Sequence, residues 1–410
     1  MRIATRLQGL EQSEIRRMTR ECERVGGINL GQGICDLPTP ELVRDGAIGA
    51  IRENRSTYSF AEGASELRAA IAKKLSRDNG LQADPASEIC VTVGASGAYA
   101  ATLHALLNPG DGILLFEPYY GYHLNAAIVA GLAPEFVTLK PPEFALSEEA
   151  LEAGITPRTR AVVVCTPSNP SGKMFRPAEL EALARVARRR DLLVITDEIY
   201  EYIRYDGRRH VSPASIAGLQ DRTVTIMGLS KTFSITGWRL GYTFAPAELT
   251  RAITLVNDLY FVCAPTPLQL GAARGFDAPR SYFEDLMVAY RKKRDRICAA
   301  LDRARLPPIV PEGAYYVLAD CTRLGFATSV EAAMHVLETT QVASVAASAS
   351  SWWWTSSGSP SCSRCSRSTR STSAPLPRWS ACWSAPTRSA SSSPGPSWGR
   401  CRTTSAASPS

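Results

Sequence analysis

The sequence predicts an α/β protein with a mostly parallel central sheet sandwiched by helices, followed by a smaller α/β domain that is incomplete. Between residues 65 and 245, short β-rich runs alternate with helical patterns. Several of these runs are continuously apolar, which is typical of strands buried on both faces of a parallel sheet. The length of 410 residues corresponds to two or three domains of roughly 150 residues each.

Six strands and three covering helices are predicted in this region. The strands are expected at residues 89–93, 112–116, 161–165, 192–196, 223–227 and 240–244. The helices are expected at residues 66–77, 98–107 and 177–190. The turn sequence at residues 108–111 (NPGD) and the basic run at residues 188–190 lie where helices are predicted to end, which fits helix C-termini.

A long helical pattern at residues 281–305 is predicted to bridge into the smaller domain, with its basic run at residues 291–294 facing solvent. Residues 311–320 are expected to begin a β-element of that domain. We therefore expect an N-terminal segment, a large domain, a partial small domain and an aberrant tail. Their predicted bounds are residues 1–45, 46–285, 286–345 and 346–410.

The last 65 residues have an unusual composition, with 22 Ser, seven Arg and six of the seven Trp. Leu376 is their one aliphatic residue larger than Ala, and they show no helical or strand periodicity. This composition predicts a disordered segment. The abrupt change near Val345, together with the Trp and Cys content, favours a shifted reading frame in a GC-rich gene as its origin.

Charge and hydropathy exclude several classes of function. The tail holds seven of the 46 basic residues and none of the 39 acidic ones, so the body is neutral and gives no support for a nucleic-acid partner. Apolar runs fall far short of the roughly 20 residues of a membrane span. Residues 1–12 lack the apolar stretch of a secretory signal, so a cytoplasmic location is expected. Cys and His are scattered, and no disulfide framework or metal site is predicted.

The strongest chemical signal lies in residues 228–242 (GLSKTFSITGWRLGY). Lys231 follows a predicted strand, which places it at the edge of the sheet where ligand sites of α/β proteins gather. Its small, apolar and aromatic neighbours would desolvate the amine and lower its pKa, so that it can form a Schiff base with an aldehyde. Arg239 can bind an anion nearby. Taken alone, a lysine at this position is more often an ordinary surface lysine than a catalytic one.

Polar motifs also follow neighbouring strands. Asp197 ends one strand, Ser168 to Gly172 (SNPSG) follows another, and Gly94 to Gly97 (GASG) lies between a strand and a helix. Each has an ordinary structural interpretation, as a capping residue or a turn. A glycine-rich turn before a helix also points backbone N–H groups at a phosphate.

In this order, the motifs resemble those of the class I/II aminotransferases, fold-type I enzymes that depend on pyridoxal 5′-phosphate (PLP). The pattern S-K-x-x-x-x-T-G-W-R-x-G-Y carries most of the resemblance, which runs from about Ile28 to about Asp320. It implies transfer of an amino group between an L-amino acid and a 2-oxo acid, with Lys231 holding PLP and moving the proton. The sequence of residues 29–40 most resembles that of the kynurenine/glutamine-type subgroup.

The resemblance assigns residues around the cofactor ring. Asp197 is expected against the pyridine nitrogen, because a buried carboxylate stabilises the protonated ring. Asn169 and Tyr200 are expected against the 3′-oxygen. Tyr120, in the motif EPYYGY, is expected to stack on the ring, although aromatic residues in such loops often only fill the core.

The resemblance also assigns the phosphate site. Arg239 and the backbone amides of Ala95, Ser96 and Gly97 are expected to bind the phosphate, with the Ser96 hydroxyl. Gly228 stands where many relatives carry a Ser, so one hydroxyl is expected to be missing from this site.

Two further assignments and one absence follow from the resemblance. Tyr58 matches a tyrosine that reaches across a homodimer interface to the neighbouring phosphate, and Gly33 lies where the backbone approaches the substrate carboxylate. A small-domain arginine should clamp that carboxylate after a strand like residues 342–345. None of the seven tail arginines lies in such a motif, which removes a contact of roughly 1.5–3 kcal/mol.

Two alternatives stay open at this point. The first is a PLP-dependent C–S or β-lyase on the same fold, which differs from an aminotransferase because its reaction needs no 2-oxo acid. The second is a catalytically impaired PLP-binding remnant that lacks the clamping arginine, with the Arg-rich tail contacting nucleic acid. It predicts a cofactor absorbance band that no amino donor bleaches.

Overall fold

The computed structural model describes residues 3–8, 10, 13–346 and 379–383, the last group by its backbone alone. The strands within these residues are β1 Ile28–Asn29, β2 Ile89–Val93, β3 Gly112–Glu117, β4 Ala133–Thr138, β5 Thr159–Cys165, β6 Leu193–Asp197, β7 Thr223–Gly228, β8 Leu240–Phe244, β9 Pro308–Ile309, β10 Val317–Asp320, β11 Val342–Ala343 and β12 Trp379–Trp383.

The helices of the same residues are α1 Glu14–Arg24, α2 Glu41–Arg52, α3 Ser65–Lys74, α4 Gly94–Leu106, α5 Gly121–Val129, α6 Glu148–Gly154, α7 Pro177–Arg190, α8 Leu229–Thr232, α9 Ala247–Phe261, α10 Thr266–Gly275, α11 Arg280–Arg303 and α12 Ser329–Thr340. A π-helical turn, Leu75–Asn79, continues α3. Among the described residues, none of the helices has the length and apolar character to cross a bilayer.

Seven strands form the central sheet in the order β2-β8-β7-β6-β5-β3-β4. The neighbours from β7 to β4 are parallel, and β8 is antiparallel to both β7 and β2. The carboxyl ends of six strands therefore meet at one edge, and β8 begins there. The predicted α/β class with a mostly parallel sheet is confirmed.

The sheet is buried on both faces because helices cover both. Along β5, Val162 and Val164 belong to one apolar core, whereas Ala161 and Val163 belong to another. This alternation follows from side chains pointing to opposite faces at successive strand positions. The first core also contains apolar residues of α7 and the second those of α4, which explains why the strands have continuously apolar sequences.

All six predicted strands are confirmed to within two residues at each end. Strand β4 was not predicted, because Pro134 and Glu135 interrupt its apolar pattern. The strand lies at the edge of the sheet, where a proline is tolerated. Glu135 is buried and accepts hydrogen bonds from the hydroxyls of Thr156 and Thr159, which compensates for its burial.

The predicted solvent-facing basic run on α11 is wrong for half of its residues. Arg291 and Lys292 are exposed, but Lys293 and Arg294 are each only 8% exposed. Lys293 pairs with Asp36, and Arg294 forms two hydrogen bonds, of 2.6 and 3.0 Å, with the carboxylate of Asp206. Their charges are therefore buried against partners that no helical periodicity reveals.

Two pairs of short strands lie outside the central sheet. Strand β1 pairs in parallel with β11, and β12 pairs antiparallel with β10. The disorder predicted for the tail, residues 346–410, stays a prediction, and of this tail the structure describes Ala346 and the strand β12. The rest of the tail beyond Ala346, including its seven arginines, lies outside the described residues.

Candidate active site

The carboxyl edge of the central sheet collects the residues singled out by the sequence. Each of them lies beside one end of a strand. They are Ala95, Ser96 and Gly97 after β2, Tyr120 after β3, Asn169 after β5, Asp197 at the end of β6, Tyr200 just beyond it, Lys231 after β7 and Arg239 directly before β8. Residues far apart in the sequence thus lie at one edge because parallel strands end there together.

Asp197 has a partner that sequence reasoning missed. Its Oδ2 lies 3.0 Å from Nε2 of His123, and both side chains are buried. His123 lies in the first turn of α5, where its ring packs 4.8 Å from Tyr99 and meets Tyr120 edge-on at 5.3 Å. No local pattern joins the two residues, because they lie 74 positions apart in the sequence.

Lys231 is partly buried at the start of α8. Its Nζ donates to the carbonyl oxygen of Gly33 at 3.4 Å and lies 5.4 Å from the centre of the Tyr315 ring. Burial lowers the pKa of Lys231 below its ordinary value. The charge of Arg239 lowers this pKa further, whereas Cys35 and Asp197 oppose the shift. The amine is therefore more easily deprotonated than an exposed lysine.

Three tyrosines pack together beside Lys231. The hydroxyls of Tyr200 and Tyr316 lie 3.1 Å apart, and the Tyr315 hydroxyl donates to the Gly33 carbonyl at 3.1 Å. Burial holds the pKa of Tyr200 well above its usual range, so its hydroxyl keeps its proton. Tyr315 and Tyr316 were not predicted as site residues, because their sequence PEGAYY indicated only the start of a β-element.

Gly33 is held closely between these groups. A Cβ at this position would lie 2.4 Å from the Tyr316 hydroxyl oxygen and 2.6 Å from the Tyr315 ring. No side chain fits there without displacing both tyrosines. Gly33 therefore presents bare backbone to the interior of the site.

Arg239 and the beginning of α4 form the positively charged end of the site. The guanidinium donates to the Ser96 hydroxyl at 2.9 Å and to the Thr236 carbonyl at 3.1 Å. Gly94 has φ of 72°, and a Cβ there would lie 2.6 Å from the Arg239 Nη2. Glycine thus lets the guanidinium approach the helix N-terminus, whose N–H groups favour an anion.

The remaining predicted residues differ in placement. Asn169 is buried beside the end of β5, and Tyr120 is partly buried and stacks on Tyr122 with ring centres 5.1 Å apart. Tyr58 stands apart from this cluster in the single chain, with its side chain 81% exposed. Gly228 lies at the end of β7. A Cβ added at Gly228 would lie 2.9 Å from Cγ2 of Ile199.

Known proteins share this architecture. The family model for aminotransferase class I and II matches residues 25–371. Aromatic-amino-acid aminotransferase 2 of Thermococcus litoralis is 36% identical over 321 residues, which cover 77% of this chain and 82% of that protein. Kynurenine–oxoglutarate transaminase 3 of Rattus norvegicus is 32% identical over 340 residues, covering 78% and 75%. The solved structure of N-succinyldiaminopimelate aminotransferase from Mycobacterium tuberculosis has a TM-score of 0.81 at 34% identity, covering 84% of this chain and 90% of that one.

The match to the family model covers most of the chain, and the relatives are aminotransferases that align along most of their own length. Enzymes of this family use PLP and act on amino-acid and 2-oxo-acid substrates. The lyase and remnant alternatives gain no support from these relatives. The chain belongs to the aminotransferase class I and II family and is a PLP-dependent transferase.

Proposed function

We propose that the carboxyl edge of the central sheet holds PLP and that Lys231 is the residue that bonds to it and moves protons. One observation carries the proposal: an amine of lowered pKa, a buried carboxylate and a guanidinium lie at three strand ends of one edge. When bound, PLP supplies an aldehyde that joins to amines and a ring that stabilises negative charge on the substrate α-carbon.

The residues fit the group at each of its three ends. The aldehyde needs an amine that loses its proton easily, and burial lowers the pKa of Lys231. The ring nitrogen needs a buried anion, which Asp197 supplies. The phosphate needs amides and a cation, and the close approach of Arg239 to Gly94 at the start of α4 supplies both.

Lys231 then acts as acid and base through Nζ. Its lowered pKa makes the unprotonated amine easier to form than in an exposed lysine, and the unprotonated amine can take up a proton from a neighbouring carbon. The carbonyl of Gly33 accepts a hydrogen bond from Nζ and orients the amine. The Tyr315 ring covers one side of the amine, which limits the access of water.

The Asp197 carboxylate would stabilise a proton on the pyridine nitrogen. The His123 imidazole donates to Oδ2, and the backbone N–H of Ile199 donates to Oδ1 at 3.4 Å. These two contacts hold the carboxylate in one orientation and stabilise its charge in a buried place. His123 acts through Asp197, so we regard it as a positioning residue.

The other predicted residues complete the site. Asn169 and Tyr200 would hold the 3′-oxygen, and the Tyr316 hydroxyl lies 3.1 Å from that of Tyr200 and orients it. Tyr120 would lie against the ring. Arg239, the Ser96 hydroxyl and the amides of residues 95–97 would hold the phosphate. The backbone at Gly33 would meet the substrate carboxylate.

We also propose that the enzyme is a homodimer in which Tyr58 contributes to the neighbouring site. Tyr58, Phe60 and Leu259 are 81%, 72% and 76% exposed, the highest values among the large apolar side chains that the structure describes. The Asn257 side chain donates to the carbonyl of Ala61 at 3.1 Å, so the loop that carries Tyr58 lies beside α9. This apolar patch of Tyr58, Phe60 and Leu259 suits a second copy of the chain.

Sedimentation analysis tests the dimer. The parent chain is expected to sediment as a dimer, and Leu259→Glu is expected to dissociate it and to weaken PLP binding by roughly tenfold or more. Arg251→Glu, an exposed position on the same helix but outside the patch, serves as the matched control. A monomeric parent that binds PLP as tightly as the dimer would contradict this arrangement.

The division into an N-terminal segment at 1–45, a large domain at 46–285 and a small domain at 286–345 stays part of the proposal. The pairing of Ile28 with Val342 and of Asn29 with Ala343 supports an N-terminal segment that packs on the small domain. The cytoplasmic location expected from residues 1–12 also stays a prediction.

The function is tested with the full chain loaded with PLP. An L-amino acid should bleach the cofactor absorbance band, and a 2-oxo acid should restore it while a new amino acid appears. A band that no amino donor changes would indicate the impaired remnant. Release of ammonium without any 2-oxo acid would indicate a lyase.

A further inference from the structure

We infer that Lys293 is a positioning residue for the reaction, because its ion pair with Asp36 fixes the segment that covers Lys231. The covering segment is defined here as residues 30–36, which include Gly33. This inference deepens the proposed function, since it concerns the surroundings of Lys231.

The covering segment is fastened at its beginning by hydrogen bonds to the backbone. The N–H of Leu30 donates to the carbonyl of Ala343 at 3.0 Å. The side-chain oxygen of Asn29 accepts from the N–H groups of Gly31 and Gln32 at 2.9 and 3.0 Å. These contacts fix the beginning of the covering segment, before Gly33. The part of the segment after Gly33 must therefore be held by another contact, its second anchor.

That anchor comes from α11. The Lys293 ammonium donates to the Asp36 carboxylate, and the two side chains are only 8% and 19% exposed. Thr39, three residues further on, donates through its hydroxyl to the carbonyl of Ser234 at 3.2 Å. The chain on either side of Gly33 is thus held by contacts to different parts of the protein.

The face of α11 that carries Lys293 also contacts Gly33 indirectly, through Tyr290 and Tyr315. Tyr290 lies one turn before Lys293, whose Nζ is 5.1 Å from the Tyr290 ring centre. Tyr290 stacks on Tyr315 with ring centres 5.6 Å apart, and Tyr315 donates to the Gly33 carbonyl. Helix α11 therefore sets both the segment and the tyrosine that together surround Lys231.

The charges of Lys293 and Asp36 explain why their ion pair, called the latch below, holds the covering segment in place. A buried ammonium is costly unless it is paired, and Asp36 supplies the pair only when the segment lies in its covering position. Displacement of the segment leaves Lys293 buried without this carboxylate. The pair consequently favours the covering position and keeps the Gly33 carbonyl 3.4 Å from the Lys231 amine.

Hydrogen exchange of the full chain without cofactor tests the latch directly. Lys293→Met and Asp36→Asn should each raise the exchange rate of amides 31–36 by roughly tenfold or more. Lys293→Arg keeps the charge and should retain most of the protection. The double variant Asp36→Asn/Lys293→Met leaves no charge unpaired, so it should fold, and its segment should exchange as fast as in the single variants.

Arg294→Met is the matched control. Arg294 neighbours Lys293 on α11, is equally buried and forms its own ion pair with Asp206. Its loss should leave amides 31–36 protected as in the parent chain. The inference is wrong if the double variant protects these amides like the parent, or if Arg294→Met exposes them to the same extent.

Cofactor experiments give an independent readout. In the PLP-loaded chain, Lys293→Met should raise KM for the amino donor by roughly tenfold and leave cofactor retention unchanged. Failure of the proposed function would appear as absence of PLP at Lys231 in the parent chain, whatever the exchange rates are. Failure of the latch would appear as unchanged exchange and KM in a chain that does carry PLP.

Discussion

His123 Nε2 and Asp197 Oδ2 lie 3.0 Å apart, with both side chains buried at the carboxyl edge of the sheet. The two residues come from different strand–helix units, since Asp197 ends β6 and His123 lies in the first turn of α5. A buried carboxylate is stable only with such a partner. The pair therefore links Asp197, which we propose contacts the ring nitrogen, to helix α5, which begins directly after Tyr120.

The first prediction concerns this pair. Asp197→Asn should lower turnover by roughly a hundredfold or more, because the ring nitrogen loses its counter-charge. His123→Phe should lower turnover by roughly tenfold, because Asp197 stays but loses its donor. Steady-state kinetics with saturating PLP measures both. Tyr99→Phe removes a hydroxyl that contacts the His123 carbonyl oxygen and not its ring, so turnover close to that of the parent chain is expected.

The second prediction concerns the phosphate site. Arg239→Lys should weaken PLP binding by roughly tenfold, because lysine lacks the planar group that can contact the phosphate and Ser96 together. Fluorescence titration of the cofactor-free chain measures this affinity. Pyridoxal, which lacks the phosphate, is the matched ligand, and its affinity should not change. An equal loss of affinity for PLP and for pyridoxal would mean that Arg239 stabilises the fold and does not bind the phosphate.

The third prediction concerns Gly228. A Cβ at this position would lie 2.9 Å from Cγ2 of Ile199, so Gly228→Ser should destabilise the protein by about 1–3 kcal/mol. Adding Ile199→Val removes bulk beside the new side chain and should recover part of that loss. If the hydroxyl then reaches the phosphate, the double variant should bind PLP more tightly than the parent. Chemical denaturation and PLP titration measure the two effects.

The fourth prediction concerns the pH dependence of stability. The pKa of Lys231 is lowered by burial from its ordinary 10.5. Between the lowered pKa and 10.5, the unfolded chain holds a proton that the folded chain has lost, so the free energy of unfolding rises with pH. Each unit of lowering corresponds to about 1.4 kcal/mol. Below the lowered pKa, both states are protonated and the full destabilisation remains.

Lys231→Met isolates this contribution. In the absence of PLP, the variant should be more stable than the parent near neutral pH, and its advantage should shrink as the pH rises toward 10.5. Denaturant unfolding of both chains across this range measures the difference. A difference that stays constant with pH would show that Lys231 has an ordinary pKa in the folded chain.

Most of the fold could be predicted because its strand signals are local. Residues such as Val162 and Val164 form continuous apolar runs that identify buried strands without any tertiary information. Strand β4 was not predicted from the sequence, because it contains Pro134 and Glu135. An edge strand tolerates these residues, whereas a central buried strand would exclude them.

Only part of the site could be predicted, for a related reason. Lys231 and Asp197 follow strands, so their place at the sheet edge follows from local pattern and parallel topology. The contact of His123 with Asp197 and that of Lys293 with Asp36 join distant parts of the chain, and only the folded structure shows them. Lys293 was wrongly predicted to face solvent, because a basic run on a helix is normally exposed to water.

The central claim is that Lys231 carries the cofactor, and the most direct measurement locates it chemically. The full chain is incubated with PLP, reduced with borohydride, digested and examined by mass spectrometry. The account predicts a phosphopyridoxyl adduct on Lys231 that disappears in Lys231→Arg and persists in Lys292→Arg, a change at an exposed lysine. An adduct on another lysine, or none with the chain folded and PLP in excess, would contradict the account.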